Sequence, residues 1–162
     1  MLALFWDAMH SLSTFTARAL GEAVDLRPFK ALLDVGGGSG AYDIELCRRY
    51  PHLRATVYDL PFVAEIAAQK IKEAGVSDRI QTVGGDFFAE AVFPAGHDAV
   101  LPSMILHDWS MPKNREILRK CYESLPRGGA VIISERQHGA AGARRGLAQE
   151  APGKGRGPPH LD

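Results

Sequence analysis

Between Phe5 and about Val24, apolar residues recur every three or four positions, at Phe5, Met9, Leu12, Phe15 and Ala19, which predicts an amphipathic helix. Gly21, Asp25 and Pro28 end it. The period then changes. Leu32, Leu33, Asp34 and Val35 form a short run that stops abruptly in Gly36, Gly37, Gly38 and Gly40, the pattern of a buried strand turning sharply into a helix with bare backbone N–H groups at the turn. Tyr42, Leu46, Cys47 and Tyr50 give the next helical face, closed by Pro51. A second strand, 55–58, ends on Asp59; Pro61 then opens a helix with an inner face of Val63, Ile66, Ala67 and Ile71, ended by Gly75. The third strand, 79–83, precedes Gly84 to Phe88, and the fourth, 98–101, runs into Ser103 to Trp109. Ser110 reads as an N-cap, with Pro112 just inside a helix that carries Ile117, Leu118, Cys121, Tyr122 and Leu125. A fifth strand, 130–134, closes on Glu135.

Strands alternating with helices at this spacing predict an α/β fold with a doubly wound parallel sheet, because parallel neighbours need crossover helices. Ligands in such sheets sit at the carboxyl ends of the strands. Those ends carry the glycines, Asp59, Asp86 with Phe87, His107 with Asp108, and Glu135, while the strand bodies are apolar. Asp59 lies 19 residues beyond Gly40, the spacing at which an acid can accept both hydroxyls of a ribose. Gly36, Gly38 and Ala41 alone would also satisfy a nicotinamide-dinucleotide pattern. Three features favour S-adenosylmethionine over a nicotinamide: the acid Asp34 inside the first strand, Asp86 with Phe87 and Phe88 placed to meet an adenine, and the lack of a Tyr-x-x-x-Lys hydride-transfer pair downstream.

Composition narrows the partners. The chain has 162 residues, 46% of them hydrophobic, enough for one domain with a real core. Its 19 basic and 19 acidic side chains balance, so no overall field draws it to nucleic acid or to an anionic membrane. Cys47 and Cys121 are isolated, which argues against a zinc cluster or disulfide framework and suits a reducing cytoplasm. No apolar run approaches the roughly 20 residues needed to span a bilayer. The expected partner is a small molecule.

Five motifs in order, Asp34-Val35-Gly36-Gly37-Gly38-Ser39-Gly40, Tyr58-Asp59-Leu60-Pro61, Gly85-Asp86-Phe87-Phe88, Leu106-His107-Asp108-Trp109 and the segment 126–135, resemble the S-adenosylmethionine-dependent O-methyltransferases of the caffeate and acetylserotonin type, with their bacterial tailoring relatives. The resemblance runs from about Phe5 to Glu135 and implies the Rossmann-like class I methyltransferase sheet. It further implies that Gly36 meets the methionine part of the cofactor, Asp59 the ribose and Asp86 with Phe87 the adenine, that Gly38 and Leu60 also belong to the cofactor site, and that Ser13 lies close by. His107 matches the family's general base, Glu135 a carboxylate that holds it, and Phe5 and Met9 positions lining the acceptor pocket. The chemistry suits these types. A sulfonium methyl is already electrophilic, so the protein must deprotonate a hydroxyl of an aromatic acceptor and align it. A histidine, with an unperturbed pKa near about 6.5, suits that task. No metal is implied, since the acids are committed to cofactor or histidine.

The departures set further expectations. Relatives begin with a helical domain that makes their homodimer and part of the acceptor pocket, and this sequence starts just before the first helix of the catalytic domain. Residues 1–135 therefore read as an incomplete catalytic domain with strands one to five. Residues 136–162, rich in Gly, Ala, Pro and Arg with only Leu147 and Leu161 as large aliphatics, read as a disordered tail. The sudden loss of pattern after Glu135 points to a shifted reading frame, and an uncovered fifth strand points to poor solubility and little turnover. The competing reading is an inactive fragment that only binds cofactor or serves as an interaction module.

Overall fold

The computed structural model describes residues 2–135; the tail expected at 136–162 lies outside the described residues. The elements run α1 (Leu2–Ala23), β1 (Ala31–Val35), α2 (Ala41–Arg49), β2 (Arg54–Asp59), α3 (Pro61–Glu73), β3 (Ile80–Gly84), β4 (Ala99–Pro102), a 3₁₀ turn (Leu106–Asp108), α4 (Met111–Ser124) and β5 (Ala130–Val131). All strand pairs are parallel, in the order β3-β2-β1-β4-β5. The order reverses between β1 and β4, which makes their carboxyl ends the switch point where a ligand fits.

The sheet is apolar on both faces because both are covered. Leu32, Val57, Ala99 and Leu101 meet α1, α2 and α3 through Ala17, Leu46, Cys47, Ala67 and Ile71. Leu33, Val35, Tyr58 and Val100 meet α4 through Ile117 and Cys121, with Phe93 and Ile105 completing that layer. Burial pushes both cysteine thiols up to about 12, so each behaves as a packed apolar group.

Ser110 is the N-cap residue of α4 and Pro112 lies in its first turn, as expected; the cap acts through the Ser110 carbonyl, which accepts from Asn114 N at 2.9 Å, and not through the hydroxyl. One local expectation changes. The fifth strand is shorter than 130–134, since only Ala130 and Val131 keep the regular ladder. Ile132 N and Ser134 N still donate to Val100 O and Pro102 O, and Ser134 bridges Ser103, so the segment follows β4 as far as Glu135. Among the described residues no helix is long and apolar enough to cross a membrane.

Candidate active site

Where β1 ends, Gly36 donates its amide to Tyr58 O at 2.8 Å and takes φ +71°. A Cβ there would lie 2.7 Å from Ile105 Cγ2, so only glycine passes between β1 and the segment that leads to His107. Gly38, at φ +56°, donates its amide to Asp59 Oδ2 at 2.9 Å, and Leu60 N donates to Oδ1 at 2.7 Å. Each oxygen of Asp59 thus takes one backbone N–H and keeps a lone pair for a further donor. Burial pushes this carboxyl up, opposed by the two amides.

Helix α1 lies against the glycine corner. His10 Nδ1 is 2.8 Å from the buried Ser39 Oγ, and the Trp6 ring comes within 3.8 Å of the position a Gly38 side chain would take. Lys70 of α3 holds Asp7 at 2.6 Å. The Trp6 indole N–H is buried with no partner among the described residues, so a donor stands beside the turn ready for an incoming acceptor.

At the end of β3, Asp86 is exposed, and its Oδ1 accepts from Phe88 N at 2.8 Å and Ala89 N at 3.3 Å. Phe87 is half-buried and packs edge-on against Phe88 and Trp109, with centroids 4.8 and 6.1 Å apart. Lys113 Nζ sits 4.1 Å above the Phe88 ring. The buried Lys120 fastens the loop from the α4 side, donating to the carbonyls of Phe87 and Glu90 at 2.8 and 2.7 Å and pairing with Glu116 at 3.1 Å.

His107 stands on the 3₁₀ turn beyond β4. Its Nδ1 is 2.8 Å from Glu135 Oε2, and Leu106 N donates to Glu135 Oε1 at 2.7 Å, so one carboxylate fixes both the ring and the backbone that carries it. Asp108 Oδ1 lies 3.4 Å from Nε2. The histidine, with Met9, Leu12, Ser13, Thr16, Met104 and Asp108, lines a cavity of about 450 Å³. Met104 adopts φ +56°, a strained conformation for a side chain of its size, and its amide donates to Ser134 O at 2.7 Å. The strain is held by the same segment that delivers Glu135.

The expected residues therefore fall into three places. Gly36, Gly38, Asp59 and Leu60 form the glycine corner; Met9, Ser13 and His107 share the cavity, with Glu135 holding the histidine; Asp86 and Phe87 occupy the end of β3. Phe5 is 55% exposed, edge-on to Trp6 and outside the cavity lining. Sequence reasoning missed Leu12 and Thr16, although they fall on the row of Met9 and Ser13 at helical spacing. It also missed Met104, His10 and Trp6. Nothing in the sequence pattern announces a left-handed methionine or a contact across 29 residues. A second cavity, of about 330 Å³, opens at the amino-terminal ends of β1 to β3, away from His107. Several of its polar side chains are occupied: His97 Nε2 meets Thr56 Oγ1 at 2.8 Å, Gln81 donates to the same oxygen at 3.0 Å, and Arg54 and Arg79 donate to backbone carbonyls.

A family model described as an O-methyltransferase domain matches residues 1–151. The chain belongs to that family. Among curated relatives, 3-hydroxy-5-methyl-1-naphthoate 3-O-methyltransferase of Streptomyces sahachiroi is 53% identical over 81% of this chain. Phenazine O-methyltransferase PhzM of Lysobacter antibioticus is 39% identical over 82%. This chain spans 38% of the length of each. Among solved structures, the O-methyltransferase NcsB1 from neocarzinostatin biosynthesis, in complex with S-adenosylmethionine and 2-hydroxy-5-methyl naphthoic acid, superposes with a TM-score of 0.74 at 33% identity, covering 81% of this chain and 40% of that one. The α/β methyltransferase fold expected from the motifs is thus the fold observed.

Proposed function

We propose that this O-methyltransferase-family chain carries the cofactor corner and base of an S-adenosylmethionine-dependent enzyme that methylates a hydroxyl of an aromatic small molecule. The observation that carries this reading is the His107–Glu135 pair, 2.8 Å apart, set on a cavity beside a glycine corner. The residues present fit the cofactor. Asp59 keeps lone pairs for ribose hydroxyls, Gly36 and Gly38 leave the backbone bare for the methionine part, and the unpartnered Trp6 indole offers a donor. Asp86 and Phe87 are assigned to the adenine, and Ser13 to the side of the cofactor facing the acceptor. When bound, S-adenosylmethionine supplies an electrophilic methyl group and needs no metal.

The chain's own task is deprotonation and alignment. Glu135 accepts the Nδ1–H of His107, which selects the tautomer whose Nε2 takes the acceptor's proton. The imidazolium formed lies between two carboxylates, Glu135 on Nδ1 and Asp108 near Nε2, both of which lower its energy. Met9, Leu12 and Met104 supply apolar contact for a flat aromatic acceptor, and Phe5 lies further out along α1. The names of the relatives make a hydroxynaphthoate the first acceptor to try. A cytoplasmic setting and residues 1–135 as an incomplete catalytic domain belong to the same proposal.

The test is a mass-spectrometric methylation assay with S-adenosylmethionine and a panel of hydroxynaphthoates and simpler phenols. A product one methyl heavier, absent with His107→Ala, supports the reading. Saturable binding of S-adenosylhomocysteine without any product supports the cofactor-binding fragment instead.

A further inference from the structure

Asp34 and Asp43 are both fully buried, one near the end of β1 and the other in the first turn of α2. Their carboxyls are within hydrogen-bonding reach of one another. Among the described residues, Asp34 Oδ2 and both oxygens of Asp43 accept from no other neighbouring side chain, and Asp43 is met only by its own backbone amide, while Ser103 Oγ donates to Asp34 Oδ1 at 3.3 Å. Among the described residues, the other titratable groups that face the pair are Asp59 beyond β2 and the Cys47 thiol on α2, and neither brings a positive charge. Neither acid enters an ion pair among the described residues. Two buried carboxylates at this separation cannot both be charged; a proton between them turns mutual repulsion into a hydrogen bond.

The pair also touches the turn. A Cβ at Gly37 would lie 2.9 Å from Asp34 Oδ2 and 2.9 Å from Val57 Cγ1, so the glycine backbone rests directly on the Asp34 carboxyl. Asp43 joins the same carboxyl to the helix that begins just after the turn. We propose that Asp34 and Asp43 share one proton and act as a positioning pair that fixes the cofactor-binding turn against α2. Removing that proton puts two like charges beneath the turn, drives β1 and α2 apart at this point and loosens the corner. Burial and the facing acid push Asp34 well above the ordinary carboxylate range, which is the direction such sharing requires.

The proposal rests on the reading of the turn as a cofactor site only for its second readout. The first is a carbon-13 carboxyl titration, by nuclear magnetic resonance, of the ligand-free 162-residue chain labelled at aspartate. Two coupled signals, one titrating above the ordinary aspartate range, are expected, and Asp43→Asn removes one and moves the other down. Both carboxyls titrating in the ordinary range, or an Asp34 signal unmoved by Asp43→Asn, would overturn the proposal whatever the chain binds. The second is the affinity for S-adenosylhomocysteine against pH. The wild-type Kd climbs by up to about tenfold per pH unit above the titration, the slope of one linked proton. Asp43→Asn, whose amide still donates to Asp34, keeps binding without that slope, whereas Asp43→Leu weakens binding at every pH. A wild-type slope retained in Asp43→Asn contradicts the pair. Failure to bind S-adenosylhomocysteine at all refutes the cofactor reading and leaves the titration to decide the pair.

Discussion

The contact of His107 with Glu135 carries the proposed assignment of His107 as the base. With Nδ1–H donated to Glu135, only Nε2 can act as base, so His107→Ala is expected to lower methyl transfer by about 10²- to 10⁴-fold. The same variant should bind S-adenosylhomocysteine as the wild type does, a split that calorimetry beside the turnover assay checks. Glu135→Gln loses one charged hydrogen bond, of about 1.5–3 kcal/mol, and should slow turnover by roughly 10- to 100-fold. At the glycine corner, Gly36→Ala meets both a φ of +71° and a clash with Ile105. A destabilisation of at least about 1–2 kcal/mol, read as a shifted urea midpoint, is the expected outcome. The sequence named His107, Glu135 and Gly36 because each belongs to a motif with a fixed order. It passed over His10, whose bond to Ser39 exists only after α1 folds back onto the turn.

The elements were legible to the extent that their periodicity was local. The spacing of Phe5, Met9 and Leu12 located α1, and the apolar runs located β1 and β2 to within a residue or two, because burial on both faces dictates such runs. The fifth strand was overestimated: 130–134 has the composition of a strand, but among the described residues it pairs with β4 alone, and the regular ladder stops after Val131. Ser110 does stand at the N-cap of α4 with Pro112 just inside, as the pattern predicts, although its hydroxyl makes no capping bond. The loop before β4 illustrates what composition cannot show. His97 is buried against Thr56, and burial lowers its tendency to take a proton. The unfolded chain therefore binds that proton more readily, so the stabilisation is complete above the free histidine value and is lost as pH falls below it through the lower folded-state value. Urea midpoints should drop between about pH 7 and 5, and a His97→Gln variant should show a shallower drop.

Across the whole molecule, the order β3-β2-β1-β4-β5 places glycine corner, Asp59 and His107 around one switch point, although they are far apart in the chain. That convergence is what the list of strand ends anticipated. The shape of the cavity beside His107 was not legible, because its wall joins Met9 and Leu12 of α1 to the strained Met104. Asp59 offers the most direct measurement, for it binds both sides of the corner through Gly38 and Leu60. Calorimetric titration of the 162-residue chain with S-adenosylhomocysteine should give one saturable site, weakened about 10- to 100-fold by Asp59→Ala, with no binding of NADH. Saturable binding of NADH, or no binding of S-adenosylhomocysteine, would contradict the account.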